Sequence, residues 1–320
     1  MHIAIIGRPG VGKSTILRVL AEQPGLTADK AVLTVKDERL YRIGEIFKSK
    51  TITPLHYELV DTHKLDLTNS SIRDADALIL VVGGFIPGCD VKKEIQDIEG
   101  ELILEDYRIA ENRLTRLNKE HSKTTSAQQE RHLLEKILQH LEGEKPLRAF
   151  HFEKGEEKLI RGFSFLSLKP LIAIINTEDV CTIDTSPYPS ITIPAKLEEE
   201  LLDMEGGERE TMAKELGIDE MASRKFPMEL AKTMGLITFF TANQREARAW
   251  QVKQGTTAKE SAGKIHSHME RGFIRAQVIS YEDLVSAGSV EEAKKQNLWR
   301  TEGKDYIVQD GDIIQIRFSV

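Results

Sequence analysis

Short unbroken apolar runs recur along this chain. His2-Ile3-Ala4-Ile5-Ile6, Ala77-Leu78-Ile79-Leu80-Val81-Val82 and Leu171-Ile172-Ala173-Ile174-Ile175 have strand length and no turn residue inside them, the pattern of parallel strands buried on both faces. Ala31-Val32-Leu33-Thr34-Val35 and Tyr57-Glu58-Leu59-Val60, the latter ending on Asp61, add two more strands. Residues 14–21 and 40–47 carry helical spacing between them. Strands alternating with helices predict an α/β domain whose parallel sheet is covered on both faces. Ligands of such sheets bind beyond the carboxyl ends of the strands, where Gly7, Asp61 and Asn176 all fall.

The texture changes twice. Residues 92–119 and 128–144 are highly charged, with Ile95, Ile98, Leu102, Ile109, Leu114 and Leu117 spaced helically, and Ser122-Lys123-Thr124-Thr125-Ser126 reads as the turn of an antiparallel helical hairpin. Charge of mixed sign suits either a solvated face or a binding surface. From Leu236 the runs become short and alternating, at 237–241, 248–252, 276–279, 306–308 and 313–318, with a helix at 258–266 and a tight turn at Gln309-Asp310-Gly311-Asp312. These shifts divide the chain into a nucleotide-binding domain of residues 1–91 and 146–205, a helical arm at 92–145, a helical connector at 206–235 and a small α+β domain at 236–320.

Composition narrows this picture. The 320 residues carry a formal charge of −7, with 40% hydrophobic and 30% charged residues, so a mildly acidic globular protein is expected. No apolar stretch reaches the roughly 18 to 20 residues that span a bilayer, and the first strand leads directly into a glycine-rich loop, so neither a membrane nor a signal peptide is expected and the location is cytoplasmic. Cys89 and Cys181 form neither a C-x-x-C pair nor a disulfide framework.

The chemistry concentrates after the first strand. Gly7-Arg8-Pro9-Gly10-Val11-Gly12-Lys13-Ser14-Thr15 fits the phosphate-binding pattern G-x-x-x-x-G-K-[ST], between a strand and a helix as that loop requires. Glycines let backbone N–H groups turn toward phosphates, the helix N-terminus adds partial positive charge, Lys13 meets the β and γ oxygens and the Ser14 hydroxyl is placed for Mg²⁺. Asp61, at a strand end, suits the acid that holds the same Mg²⁺ through water, so Lys13 and Asp61 are the expected catalytic pair and Ser14 and Asp61 the metal pair. Asn176-Thr177-Glu178-Asp179 offers an amide and two carboxylates, Asn176, Glu178 and Asp179, to a nucleotide base.

With these residues the chain resembles the YchF/Obg-like ATPases, translation-factor-type P-loop proteins. The resemblance runs through Asp37-Glu38-Arg39-Leu40, Glu58-Leu59-Val60-Asp61, the arm stretch 97–106 and Pro194-Ala195-Lys196-Leu197. It is most specific near the end, in 235–242, Arg248-Ala249-Trp250, Gly255-Thr256-Thr257-Ala258, 270–276 and 303–312. It implies a G domain with a coiled-coil arm, a C-terminal ubiquitin-like TGS domain, ATP preferred over GTP, Mg²⁺ dependence and association with the ribosome or ribosomal RNA. Sequence-specific DNA is not expected. The loop at Ala195 and Lys196 resembles the element that backs the base through main-chain N–H groups.

The chain also departs from that pattern. Where the family reads D-I-A-G-L it has Asp61-Thr62-His63-Lys64-Leu65, so Lys64 replaces the glycine that would meet the γ-phosphate. Leu65 stands where many GTPases have a water-orienting Gln, which predicts slow hydrolysis. The loop 83–90 lacks the family's histidine, the glycine-rich switch after the Asp motif is missing, and no Phe-x-Thr stretch precedes Asp37. His63 reads either as a replacement group or as a solvated loop residue. Asp179 stands at the spacing that reads guanine in GTPases while Glu178 lies beside it, so ATP is the expected ligand and GTP the alternative. The expected function is a slowly hydrolysing, ribosome-associated switch; the alternative is an adaptor that signals by nucleotide occupancy alone. No acceptor site or arginine-rich lid of a metabolic kinase is evident. The series Arg245, Arg248, Lys253, Lys259, Lys264, Arg271 and Arg275 makes the last domain locally basic, fit either for phosphate contact or for plain solvation.

Overall fold

The computed structural model describes residues 1–62, 64–119, 124–153 and 155–319. In chain order the elements begin β1 (His2–Ile6), α1 (Lys13–Ala21), β2 (Lys30–Thr34), α2 (Glu38–Phe47), β3 (Thr51–Thr53), β4 (His56–Asp61), α3 (Ser70–Arg73), β5 (Ala77–Gly83), α4 (Val91–Lys119) and α5 (Thr125–Glu142). They continue with α6 (Glu156–Ile160), β6 (Leu171–Asn176), β7 (Ser190–Ile193), α7 (Ala195–Leu201), α8 (Gly206–Glu215), α9 (Ala222–Thr233), β8 (Leu236–Ala242) and β9 (Glu246–Lys253). The last are α10 (Ala258–Ile265), α11 (Ser267–Arg271), β10 (Phe273–Ile279), α12 (Tyr281–Ala287), α13 (Val290–Lys295), β11 (Arg300–Glu302) and β12 (Ile313–Phe318). The chain forms two compact units, Met1–Leu33 with Tyr57–Ser223, and Thr34–His56 with Arg224–Val320.

The first unit is built on a sheet in the order β2-β4-β1-β5-β6-β7, with β4, β1, β5, β6 and β7 joined by parallel pairings. Strands from both sides of the arm therefore share one sheet. β5 and β6 are buried along their whole length, which is why their sequences are continuous apolar runs, whereas the edge strand β2 alternates buried Ala31 and Leu33 with exposed Lys30 and Val32. Ile95, Ile98 and Leu102 of α4 pack on β5 and β6 residues in the core. α4 has 29 residues, about 44 Å of helix, and with α5 it encloses a separate core of Leu117, Leu133, Leu134 and Ile137. Thr124 caps α5 by accepting from Ala127 N, and a two-bonded Arg113–Glu130 pair, 2.7 and 2.9 Å, ties the helices together. Ser122 and Lys123 of the expected hairpin turn lie outside the described residues.

The second unit holds a sheet in the order β11-β10-β12-β8-β9-β3. One face, with Phe240, Ala249, Ile279 and Ile313, packs on α2 residues Leu40 and Ile43 and on Leu284 of α12; the other, with Phe239, Val278 and Ile314, packs on Ala258 of α10. Thr257 caps α10 with a complete capping box to Glu260. Two features differ from the expected pattern. Residues 306–308 form no strand; Ile307 makes one isolated bridge to Thr257, because Gln309 N turns onto the Asp312 carboxylate at 2.9 Å. Residues 34–56, counted by pattern with the nucleotide-binding domain, fold in the second unit, where β3 pairs in parallel with β9 and α2 supplies core. The connector 206–235 is likewise divided, at Ser223 and Arg224.

Candidate functional site

The loop between β1 and α1 is shaped by its glycines. Gly7, Gly10 and Gly12 have φ of 145°, 82° and 90°, backbone that other residues rarely adopt. Gly7 and Gly12 are also held by close approach. A Cβ on Gly7 would stand 2.4 Å from Val81 O, and one on Gly12 2.3 Å from Asn176 Nδ2. The loop thus lies against the ends of β5 and β6, with its N–H groups free to face a ligand beyond the sheet.

Lys13 is 6% exposed, and its ammonium donates to Gly7 O and Arg8 O, both at 3.0 Å. Burial lowers its pKa, against the opposing pull of the Asp61 carboxylate. The Ser14 hydroxyl donates to Asp61 Oδ2 at 2.6 Å, while Asp61 Oδ1, also buried, has no hydrogen-bond partner among the described residues. A buried carboxylate oxygen left without a donor, close to a hydroxyl at a helix N-terminus, makes an oxygen pair of the kind that holds Mg²⁺ directly or through water. Thr62 closes the floor through Oγ1 to Ile5 O at 2.7 Å.

Asn176 does more than its position suggested. Its Nδ2 donates to Val11 O at 3.0 Å and its Oδ1 accepts from Ala195 N at 3.3 Å, so the side chain fastens the glycine loop to the start of α7. It is buried, as is Ala195, whereas Glu178, Asp179 and Lys196 are exposed. Of the residues expected to meet a base, the exposed carboxylates therefore keep free oxygens and Asn176 acts as a brace. Thr15 Oγ1 accepts from Arg18 at 3.1 Å, and Arg18 also pairs with Glu199, which ties α1 to α7.

Arg8 is held by contacts that its sequence surroundings do not announce. Its guanidinium donates to Glu94 at 3.3 Å and to Glu101 at 2.5 Å, two carboxylates two turns apart on α4. Nothing in the charge pattern separates these glutamates from a solvated face. In the segment after Asp61, Lys64 is exposed, whereas Leu65 packs on the core beside Leu67 and Cys89. His63 lies outside the described residues. The basic series of the last domain is dispersed. Arg248 stacks on Trp250 at 4.9 Å, Lys253 and Lys264 line a cavity of about 620 Å³ together with Glu260, and Arg275 lies opposite Arg317.

Among the described residues no helix is long and apolar enough to cross a membrane.

Comparison with known proteins agrees with this arrangement. Residues 2–119 match a family described as 50S ribosome-binding GTPase, and residues 236–319 match the YchF-GTPase C-terminal family, described as a protein of unknown function. The "Ribosome-binding ATPase YchF" of Bacillus subtilis is 34% identical over 360 aligned positions, covering 99% of this chain and 98% of the relative. That of Haemophilus influenzae is 34% identical with the same coverage. Both alignments are longer than the 320-residue chain, so they contain positions that this chain lacks. The structure of the Schizosaccharomyces pombe YchF GTPase superposes with a TM-score of 0.82 over 99% of this chain and 97% of its own, at 23% identity, and so shares the fold.

Proposed function

The chain belongs to the YchF family, and on that premise we propose that it is a nucleotide-dependent switch: it binds ATP with Mg²⁺ in the loop of residues 7–15, hydrolyses the phosphoanhydride bond slowly, and acts on the ribosome in the cytoplasm. The observation that carries the reading is the convergence beyond β1 and β4 of the buried Lys13 cation, the exposed Ser14 hydroxyl and a buried Asp61 carboxylate oxygen that has no partner among the described residues. The Lys13 ammonium, now on two backbone carbonyls, is within reach of β and γ oxygens entering the loop and would neutralise the charge that grows on them. Ser14 and Asp61 would hold Mg²⁺, which when bound neutralises phosphate charge; its remaining ligands would come from phosphate and water. Asn176 positions the loop, and Glu178 and Asp179 face the base.

ATP is favoured because the bacterial relatives named above are ATPases; Asp179 and the GTPase names of the matching family and the yeast structure support GTP as the alternative. Slow turnover is supported by Leu65, whose side chain is turned into the core and carries no group that orients water. Single-turnover hydrolysis tests the whole reading. Wild type should convert ATP slowly, and Lys13→Ala or Asp61→Ala should lower the rate by roughly 100-fold or more. Equal rates in all three proteins would remove the site from the chemistry.

Exposed Lys64, in place of a glycine, specifically favours a second reading. A bulky, flexible cation at that point suits an adaptor that binds nucleotide and does not turn it over. Tight ATP binding with no hydrolysis above the Lys13→Ala background would select it.

A further inference from the structure

Within the first unit, α4 leaves one stripe of its surface open. Gln96, Asp97, Gly100, Leu104 and Tyr107, recurring at steps of three and four residues, line a cavity of about 780 Å³ together with the end of α5 and Tyr188. From Gln96 to Tyr107 the helix rises about 16 Å, so the cavity is a groove three turns long. Buried Ile103 and Leu141 also line it, and none of its lining residues belongs to the nucleotide site.

Two features of the groove are unexplained by packing. Gly100 lies in the interior of α4, where glycine costs helix stability relative to alanine. Close approach does not require it, because a Cβ placed there would meet no atom of another element within 4 Å. Leu104 is 68% exposed, the most of any large apolar side chain among the described residues. A bare glycine and an uncovered leucine one turn apart leave room and apolar surface for an incoming chain.

The charge of the groove has one sign. Asp97, Glu99, Glu142 and Glu144 line it, and among the described residues no Lys, Arg or His does. Glu99, itself buried, pairs with Arg148, and Glu142 accepts from the Tyr107 hydroxyl at 3.3 Å. Asp97 and Glu144 are exposed and, among the described residues, stand in no ion pair. The carboxylates are spread out: among the described residues no three acidic, histidine or cysteine side chains gather where they could hold a metal ion. Separated negative charges beside two tyrosine rings fit separated positive charges on one chain. Guanidinium groups fit best, because they fork onto carboxylates and stack on aromatic faces.

We propose that this groove of α4 is a docking site for an arginine-rich polypeptide segment. Its guanidinium groups pair with Asp97, Glu142 and Glu144 and stack on Tyr107 and Tyr188, and its aliphatic stems pass over Gly100 and Leu104. The site stands independently of the nucleotide and ribosome readings. A linear polyamine offers charge of the same sign and no planar group for the tyrosines.

The test uses the full chain, a fluorescein-labelled 12-residue peptide of alternating arginine and alanine, its lysine counterpart, and spermidine as competitor, read by fluorescence anisotropy. The arginine peptide should bind about threefold more tightly than the lysine peptide, or better. Gly100→Gln, which fills the groove without changing charge, should weaken the arginine peptide about tenfold while raising the unfolding temperature, a combination that misfolding does not give. Asp97→Asn with Glu144→Gln should weaken it about tenfold and flatten its salt dependence. Tyr107→Leu with Tyr188→Leu should erase the preference for arginine over lysine. ATP affinity should stay unchanged in the first two variants, and Asp203→Asn, an exposed acid outside the groove, should leave peptide binding unchanged. No binding of the arginine peptide by the wild type, or wild-type affinity in both Gly100→Gln and the acid double variant, would overturn the proposal. Equal affinity of the wild type for the two peptides, with spermidine displacing both, would give the groove to a polyamine and contradict it.

Discussion

Gly12 shows how tightly single positions are specified. Its φ of 90° and the 2.3 Å that would separate an added Cβ from Asn176 Nδ2 act together, so Gly12→Ala must either strain the loop or push Asn176 off Val11 and Ala195. The substitution should cost on the order of 2 kcal/mol in thermal or urea unfolding and weaken nucleotide binding at least tenfold by calorimetry. An unchanged affinity would mean that the brace is dispensable. Asp106 makes a different kind of demand. Wholly buried on α4, it accepts from Leu166 N and Ser167 N, both at 2.7 Å, yet burial pushes its pKa up to about 6. A folded-state pKa above the unfolded value means that the protonated form is favoured in the fold. Its stabilisation is complete below about pH 4 and is lost as pH rises through 6, by an amount on the order of 3 kcal/mol. The difference in unfolding free energy between wild type and Asp106→Asn should therefore shrink from pH 4 to pH 7; a constant difference would mean that the carboxyl does not titrate there. The P-loop residues were legible in the sequence because their spacing is itself the chemistry. The bracing role of Asn176 was not, since a hydrogen bond to Val11 depends on where two strands end.

Among the elements, α4 links the candidate site to the arm. Arg8 comes from the phosphate loop and its partners Glu94 and Glu101 from the first turns of a helix that continues into the coiled arm. The side chains of Arg8 and Glu101 are 43% and 39% exposed, so their attraction is screened. A double-mutant cycle on Arg8→Ala and Glu101→Ala, read by unfolding, should return a coupling of about 0.5–1 kcal/mol. A coupling near zero would leave the loop independent of α4. The long elements were readable from periodicity alone: β5, β6 and α4 bury continuous or helically spaced apolar faces. The short ones were not. β3 has three residues and β7 four, too few for a period to show, and each is a strand only because a neighbour supplies its hydrogen bonds. Residues 306–308 failed in the opposite sense, their strand-like composition yielding to the side-chain turn made by Asp312.

At the scale of the whole molecule, a parallel α/β sheet interrupted by a helical arm and followed by a smaller α+β fold was legible from the hydrophobic pattern, and the division of the chain was not. Residues 34–56 join the second unit through Thr51↔Glu246 and Thr53↔Arg248, pairings between segments nearly two hundred residues apart. Hydrophobic periodicity reports which face of an element is buried and is silent on its partner. The consequence is local: Lys50 N donates to Gln244 O and Thr51 N to Arg245 O, at 3.1 and 3.0 Å, so a segment read with the first sheet is fastened to the β8–β9 turn. The account as a whole depends on nucleotide entering the loop at Lys13. The most direct measurement is calorimetric titration of the purified protein with ATP and with GTP in the presence of Mg²⁺, repeated on Lys13→Ala. ATP should bind more tightly than GTP, and the variant should lose most of the binding. Tighter binding of GTP would give the base to Asp179, and heat from neither nucleotide, or the same heat from wild type and variant, would contradict the central claim.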